Sequence, residues 1–239
     1  MVEVIPAIIP QSFEDLKEKM TQVNKLVPIV QIDVCDGKFV PSKCWPYAND
    51  NGEFVKLVDE SEEFPFWKSL DFEVDLMVEN PESTIPDWIK AGAKRLIIHI
   101  ESSKDPFKLM ADLRNKYGYS GDSAYSIEIG VAIGADTPNS TLDEYLKPNF
   151  AGRSLADFVQ FMGIKKIGYQ GQEFDTEVLD KISDLRKNFP DTIISVDGGV
   201  NFENAQDIVE AGVNRLVSGS AIYESDNIRE AITELTNLN

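Results

Sequence analysis

Between residues 28 and 41 the chain alternates apolar and polar positions one for one, with Val30, Ile32 and Val34 set against Gln31, Asp33 and Cys35. Successive side chains of a strand point to opposite faces, so an extended segment here has one greasy face and one face of polar, reactive groups. The apolar runs 72–77 and 193–199 also carry carboxylates near their ends, Asp75 and Asp197. Alternation alone equally describes a half-buried strand whose polar face meets water. Carboxylates recurring at the C-terminal ends of strands separated by helical patterns instead describe the catalytic face of a parallel barrel.

The rest of the chain keeps that rhythm. A β-branched run, 4–9, ends at Pro10, and Ser12 then occupies the N-cap of a helical pattern reaching about residue 26, with Phe13, Leu16, Met20 and Val23 on one face. Strand two leads into a long connection, about 38–71, rich in Pro, Asn and aromatic residues, with a helix expected over 54–58. Strand three is 72–77. Asn80-Pro-Glu-Ser83 opens a helix that runs to Ala91 and stops at Gly92, and 95–100 is strand four. A helix over 106–117, a strand over 126–133, a short helix over 140–146 and a strand over 157–162 follow. After a Gly- and Lys-containing loop, 163–173, come a helix over 174–188, a strand over 192–196, a helix over 202–211, a strand over 214–217 and a last helix over 227–235. This is the pattern of a single α/β domain over 1–239, a (β/α)8 TIM barrel. The alternative, a doubly wound open sheet, would carry GxGxxG after its first strand, which this sequence lacks.

Charge narrows the ligands. With 23 basic and 41 acidic residues the formal charge is −18, which repels polyanions and argues against nucleic acid or an anionic membrane as partner. A small anion must then be held by local groups. No apolar run approaches the roughly 20 residues needed to cross a bilayer. Cys35 and Cys44 follow no metal-ligand spacing, and the N-terminus has no basic-then-apolar leader, so the expected compartment is a reducing cytoplasm. His99 is the only histidine, which excludes any site built on two histidines of one chain.

Seven segments carry a family resemblance: Asp33-Val-Cys-Asp-Gly-Lys-Phe-Val-Pro41, Val74-Asp-Leu-Met-Val-Glu-Asn-Pro81, Ala91-Gly-Ala93, His99-Ile-Glu101, Gly171-Gln-Glu-Phe174, Val196-Asp-Gly-Gly-Val-Asn201 and Gly219-Ser-Ala-Ile222. Their succession along almost the whole chain resembles the ribulose-phosphate 3-epimerase family, TIM barrels that bind phosphorylated sugars. The resemblance implies an acid/base pair, Asp33 and Asp197, working on opposite faces of a ketopentose phosphate. One removes the C3 proton and the other returns a proton from the far side, with a metal stabilising the enediolate between them.

The same resemblance exposes departures. The family's metal is held by two aspartates and two histidines; the histidines' places are taken here by Gln31 and Asp75, and the family's strand-one serine by Ala7. The implied metal set, Gln31, Asp33, Asp75 and Asp197, offers only oxygen, which suits a hard divalent cation such as Mg²⁺ or Mn²⁺ better than zinc. Without a cation, three clustered carboxylates cannot all ionise cheaply, and at least one pKa should rise. The family's shielding methionines match Cys35, Met77 and Met162; an isolated strand cysteine is most simply a packing residue. The implied phosphate grip falls on Gly171 and Gln172, Gly198 and Gly199, and Gly219 and Ser220, where glycines let backbone N–H groups approach an anion.

Other features stay open in the sequence. Lys165 and Lys166, in a loop one residue longer than the family's, either reach an anionic oxygen or are simply solvated. Trp45, Tyr47, Phe64, Phe66 and Trp67 in the long connection suggest a lid or a homo-oligomer contact. His99 reads as a structural hydrogen-bonding residue and Asp36 as a turn aspartate or an orienting acceptor. Three functions compete: an epimerase, a sugar-phosphate binder that has lost turnover, and an isomerase or lyase acting on a different phosphorylated sugar. The barrels that decarboxylate or condense sugar phosphates use Asp-x-Lys on strand two, and Asp33-Val-Cys35 lacks that lysine.

Overall fold

The computed structural model describes residues 2–119, 121–122, 126–148, 152–169 and 171–238. Eight parallel strands pair in sequence order and close on themselves, β8 beside β1. They are β1 (Glu3–Ile8), β2 (Ile29–Cys35), β3 (Asp71–Met77), β4 (Arg95–His99), β5 (Glu128–Ile133), β6 (Phe158–Met162), β7 (Ile193–Asp197) and β8 (Arg215–Ser218). The outward alternate positions, such as Ile32, Val34, Leu76, Ile98, Val131 and Val196, are completely buried under the helical layer. A closed parallel barrel therefore buries its greasy face against helices and keeps its polar face for the interior, as the alternation from Val30 to Cys35 predicts.

The helices are α1 (Phe13–Val23), α2 (Glu53–Val58), α3 (Ile85–Lys90), α4 (Pro106–Tyr117), α5 (Asp143–Leu146), α6 (Glu177–Asn188), α7 (Ala205–Glu210), α8 (Ser220–Tyr223) and α9 (Ile228–Thr236). Side-chain oxygens of Ser12, Asp105 and Asn227 cap α1, α4 and α9 by accepting from Asp15, Lys108 and Glu230 N–H groups. Several boundaries differ from expectation for local reasons. Helix α1 stops at Val23 because Lys25 turns the backbone left-handed, φ 69°. The helix expected from Asn80 is a 3-10 turn, Pro81–Ser83, followed by α3, whose first turn contains Pro86. Helix α7 starts late because the Asn201 side chain first folds an Asx turn, accepting from Glu203 and Asn204.

The long connection after β2 is part of the core wall. Trp45 is fully buried, stacked on Phe13 at 5.3 Å and edge-on to Trp88 at 6.0 Å, and Phe64 stacks on Phe72 at 4.0 Å. Those two rings seal the flank over α1 and α3 and are neither lid nor contact surface. Trp67, by contrast, is half exposed, its indole N–H donating to Glu63 at 2.7 Å.

The N-terminal end of the barrel is closed by charge. Arg95 reaches Glu3, Glu73 and Glu128 at 3.3, 3.1 and 2.9 Å, and Arg215 reaches Glu3 and Glu128 at 2.9 and 2.7 Å. Just above that layer the Phe158 ring lies against Arg215, whose guanidinium is 4.7 Å from the ring centre. Gly130 makes room for it: a Cβ there would come within 2.3 Å of the ring. Only the C-terminal mouth remains open.

Candidate active site

Asp33, Asp75 and Asp197 converge at that mouth. Each arrives by register: Asp33 pairs Asp75 across β2 and β3, and Asp197 sits at the end of β7 opposite Met162. All three are buried, and each offers an oxygen within 4.8 Å of the others'. Gln31 ties two of them together, its Nε2 donating to Asp33 Oδ1 and to Asp197 Oδ2, both at 2.7 Å. Asp75 Oδ1 in turn meets His99 Nε2 at 2.9 Å, both side chains fully buried.

Burial first, then the charges of Asp197 and Asp75, pushes Asp33 well above the usual carboxylate range, with the Gln31 hydrogen bond opposing. Burial first and Asp75 second push Asp197 up to about 7, again against Gln31. For His99 burial pulls the imidazole down, but the charge and hydrogen bond of Asp75 outweigh it and the pKa rises. Burial and mutual repulsion thus favour the protonated forms of Asp33 and Asp197 more than in isolated carboxylates. An acid and a base in one site is the condition for two-sided proton transfer.

A cleft of about 480 Å³, its open mouth included, rises from Asp33 and Asp197 and is walled by Met77, Met162, Tyr169, Gly171, Gly198, Gly199, Gly219 and Ser220. Gly198 and Gly199 have φ of 102° and 71°. A Cβ on Gly199 would lie 2.7 Å from Phe174 N, and one on Gly198 would lie 2.8 Å from Ile164. Only glycine fits this turn, and its backbone lines the cleft beside the first turn of α8, where helical N–H groups lack partners within the helix. Of the expected anion-binding residues, Gln172 alone is off this wall; it lines an adjoining groove with Phe39, Val40, Lys165, Lys166 and Tyr169. Gln170 of the same loop lies outside the described residues.

Gln31 and Asp75 are deeper than the cleft surface, under its floor. Lys165 is exposed and ion-paired to Asp175 at 3.4 Å. Cys35 is fully buried beside Cys44, and its thiol is pushed upward by the Cys44 hydrogen bond and by burial, as befits an unreactive packing group. Asp36 is a turn aspartate that also stitches two loops: Oδ1 accepts from Lys38 and Phe39 N–H and Oδ2 from Glu79 N–H. Sequence reasoning passed over Gln160 and Ser195, whose side chains extend the polar interior below Asp75. Their signal was a polar residue at an inward position, the only one in β6 for Gln160 and two places before Asp197 in β7 for Ser195.

The four-oxygen set fits a hard divalent cation. Its three carboxylates lie within one coordination sphere's span, and Gln31 Oε1 is a buried acceptor with no partner. The Gln31 amide nitrogen occupies the position between two carboxylates where positive charge is most favoured, and turning the amide end for end would present Oε1 there instead.

A TIM barrel with paired acids at the foot of a glycine-lined cleft is the class this geometry defines. The family model described as "Ribulose-phosphate 3 epimerase family" matches residues 3–223, and the chain belongs to that family. It is 30% identical to ribulose-phosphate 3-epimerase of Bacillus subtilis (strain 168), covering 98% of each chain. It is 31% identical to the Synechocystis enzyme of the same name, over 99% of this chain and 94% of that one. Among solved structures, 3-hexulose-6-phosphate synthase superposes with TM-score 0.63 at 21% identity over 98% of both chains. The 3-keto-L-gulonate-6-phosphate decarboxylase of Vibrio cholerae superposes with TM-score 0.65 at 13% identity, over 98% and 96%. These two share the fold.

Proposed function

We propose that this protein interconverts ribulose 5-phosphate and its C3 epimer, with Asp33 and Asp197 as the acid/base pair. The observation that carries the reading is that these two carboxylates, from β2 and β7, face one cleft while a single amide holds them together. The C3 hydrogen lies next to a ketone and is weakly acidic, so its removal needs a base in hydrogen-bond reach and donors or positive charge near the developing oxyanion. One aspartate, ionised, takes that proton; the other, protonated, returns one to the opposite face. Exchanging the two protonation states runs the reaction backward. The phosphate rests on the backbone of Gly171, Gly198, Gly199, Gly219 and Ser220, and Met77 and Met162 keep water from the reacting carbon. Asp33, Asp75, Asp197 and Gln31 Oε1 would hold a divalent cation, Mg²⁺ or Mn²⁺ rather than Zn²⁺. When bound, it supplies positive charge against the enediolate oxygens.

A lyase like the fold neighbours is disfavoured because Cys35 is where an Asp-x-Lys lysine would stand. The loss of both metal-site histidines, to Gln31 and Asp75, favours a second reading, a sugar-phosphate binder without turnover. Incubation with ribulose 5-phosphate under Mg²⁺, Mn²⁺, Zn²⁺ or chelator, followed by NMR, separates them. Appearance of the C3 epimer, lost in Asp197→Asn, supports the enzyme; saturable binding with no epimer under any metal supports the binder.

A further inference from the structure

Under the floor of the cleft a hydrogen-bonded file crosses the barrel interior. His99 Nε2 meets Asp75 Oδ1 at 2.9 Å, Gln160 Nε2 approaches Asp75 Oδ2 at 3.5 Å, and Ser195 Oγ donates to Gln160 Oε1 at 3.2 Å. Four strands, β3, β4, β6 and β7, contribute one residue each, and all four side chains are completely buried. None of the partners is needed to close the barrel, since the strands are already joined by their backbone ladders. The file instead grips, by both of its oxygens, the one carboxylate of the cluster that does not line the cleft.

We propose that His99 and Gln160 are positioning residues that fix Asp75 as the third oxygen ligand of a divalent cation, with Ser195 anchoring the Gln160 amide. The inference rests on the cation-binding part of the function proposed above. A ligand carboxylate must be held with one lone pair of each oxygen engaged and the others aimed at the ion, and side chains behind a ligand do this. His99 engages one oxygen of Asp75 and Gln160 the other, which leaves the faces toward Asp33 and Asp197 free. The acceptor-only carboxylate of Asp75 sets the sense of the Gln160 amide, Nε2 toward Asp75, and the Ser195 hydroxyl anchors the far end of that amide by donating to Oε1. His99 and Gln160 thus brace Asp75 from the side away from Asp33 and Asp197.

Calorimetric titration of Mn²⁺ into chelator-stripped full-length protein tests the proposal, with far-UV circular dichroism as a check on folding. Wild type binds one Mn²⁺ per chain. His99→Leu weakens binding at least tenfold, in the range typical of groups that orient metal ligands. His99→Gln, which restores an amide donor at similar reach, stays within a few-fold of wild type. Adding His99→Leu to Asp75→Asn costs little more than Asp75→Asn alone, because the histidine acts through the aspartate. Ser195→Ala, the mildest change, weakens binding several-fold and serves if His99→Leu does not fold. Folded His99→Leu or Ser195→Ala binding Mn²⁺ as tightly as wild type overturns the positioning role while leaving the cation site intact. No Mn²⁺ binding by wild type overturns both.

Discussion

Gln31 places its amide nitrogen 2.7 Å from Asp197 Oδ2, bridging β2 and β7, which are not neighbours in the barrel. The same nitrogen serves Asp33, so one neutral donor group restrains two buried carboxylates whose charges repel. Gln31→Leu removes both hydrogen bonds, and the pKa values that Gln31 holds down should rise further. The account predicts at least a tenfold fall in kcat and an alkaline shift of the pH–rate profile. Replacing Gln31 and Asp75 together by histidine should move the cation preference toward zinc, read by calorimetry with Mg²⁺, Mn²⁺ and Zn²⁺.

The raised carboxyl pKa values set a pH dependence of stability. Asp197 moves from its ordinary 3.8 to about 7 on folding. A carboxyl with a raised folded pKa contributes most below its unfolded value, and that contribution is lost as pH climbs through the folded value. Asp197→Asn cannot ionise. In chelator, its Tm should gain on that of wild type as pH rises from about 4 to about 8, by differential scanning calorimetry. Mn²⁺ should shrink the gap by stabilising the ionised wild-type cluster. A gap independent of pH would mean that Asp197 titrates normally.

The cradle glycines are under a different constraint. Gly199→Ala places a Cβ 2.7 Å from Phe174 N at a φ of 71°, so the turn must move. The expected result is a KM for the phosphorylated substrate raised about tenfold, with kcat less affected and stability lowered by about 1–3 kcal/mol. Steady-state kinetics and urea unfolding read the two effects separately. Gly152→Ala, at an open positive-φ position outside the cleft, is the control for backbone strain alone.

At the closed end of the barrel, Arg95→Leu leaves Glu3 and Glu128 paired to Arg215 alone and takes from Glu73 its ion-pair partner. Glu73, fully buried, is already pushed up to about 7, chiefly by burial and against the pull of Arg95. Removing one partner of a buried ion network typically costs about 3–5 kcal/mol, and urea denaturation at pH 7 should show a loss of that order. At pH 5, where Glu73 holds its proton more readily, the loss should be smaller.

The strand order and the floor of the site were legible because a parallel barrel writes itself as apolar–polar alternation ending in carboxylates. Asp33, Asp75 and Asp197 could be picked out for that reason. The pairing of His99 with Asp75 could not, since it depends on the stagger between β3 and β4, which no local pattern encodes. Helix starts were misplaced wherever a side chain, as at Asn201, satisfied the backbone before the helix began. The aromatic connection misled in the opposite way: its rings suggested a free surface, yet Trp45 and Phe64 pack against Phe13, Trp88 and Phe72, partners distant in sequence.

The most direct measurement follows the C3 hydrogen of ribulose 5-phosphate in heavy water by proton NMR, with wild type, Asp33→Asn and Asp197→Asn at equal concentration. Two-sided proton transfer predicts deuterium at C3 with wild type, and at least a hundredfold loss of the C3 epimer with either variant. Epimer formation at the wild-type rate by either variant, or epimer formed without solvent deuterium at C3, would contradict it.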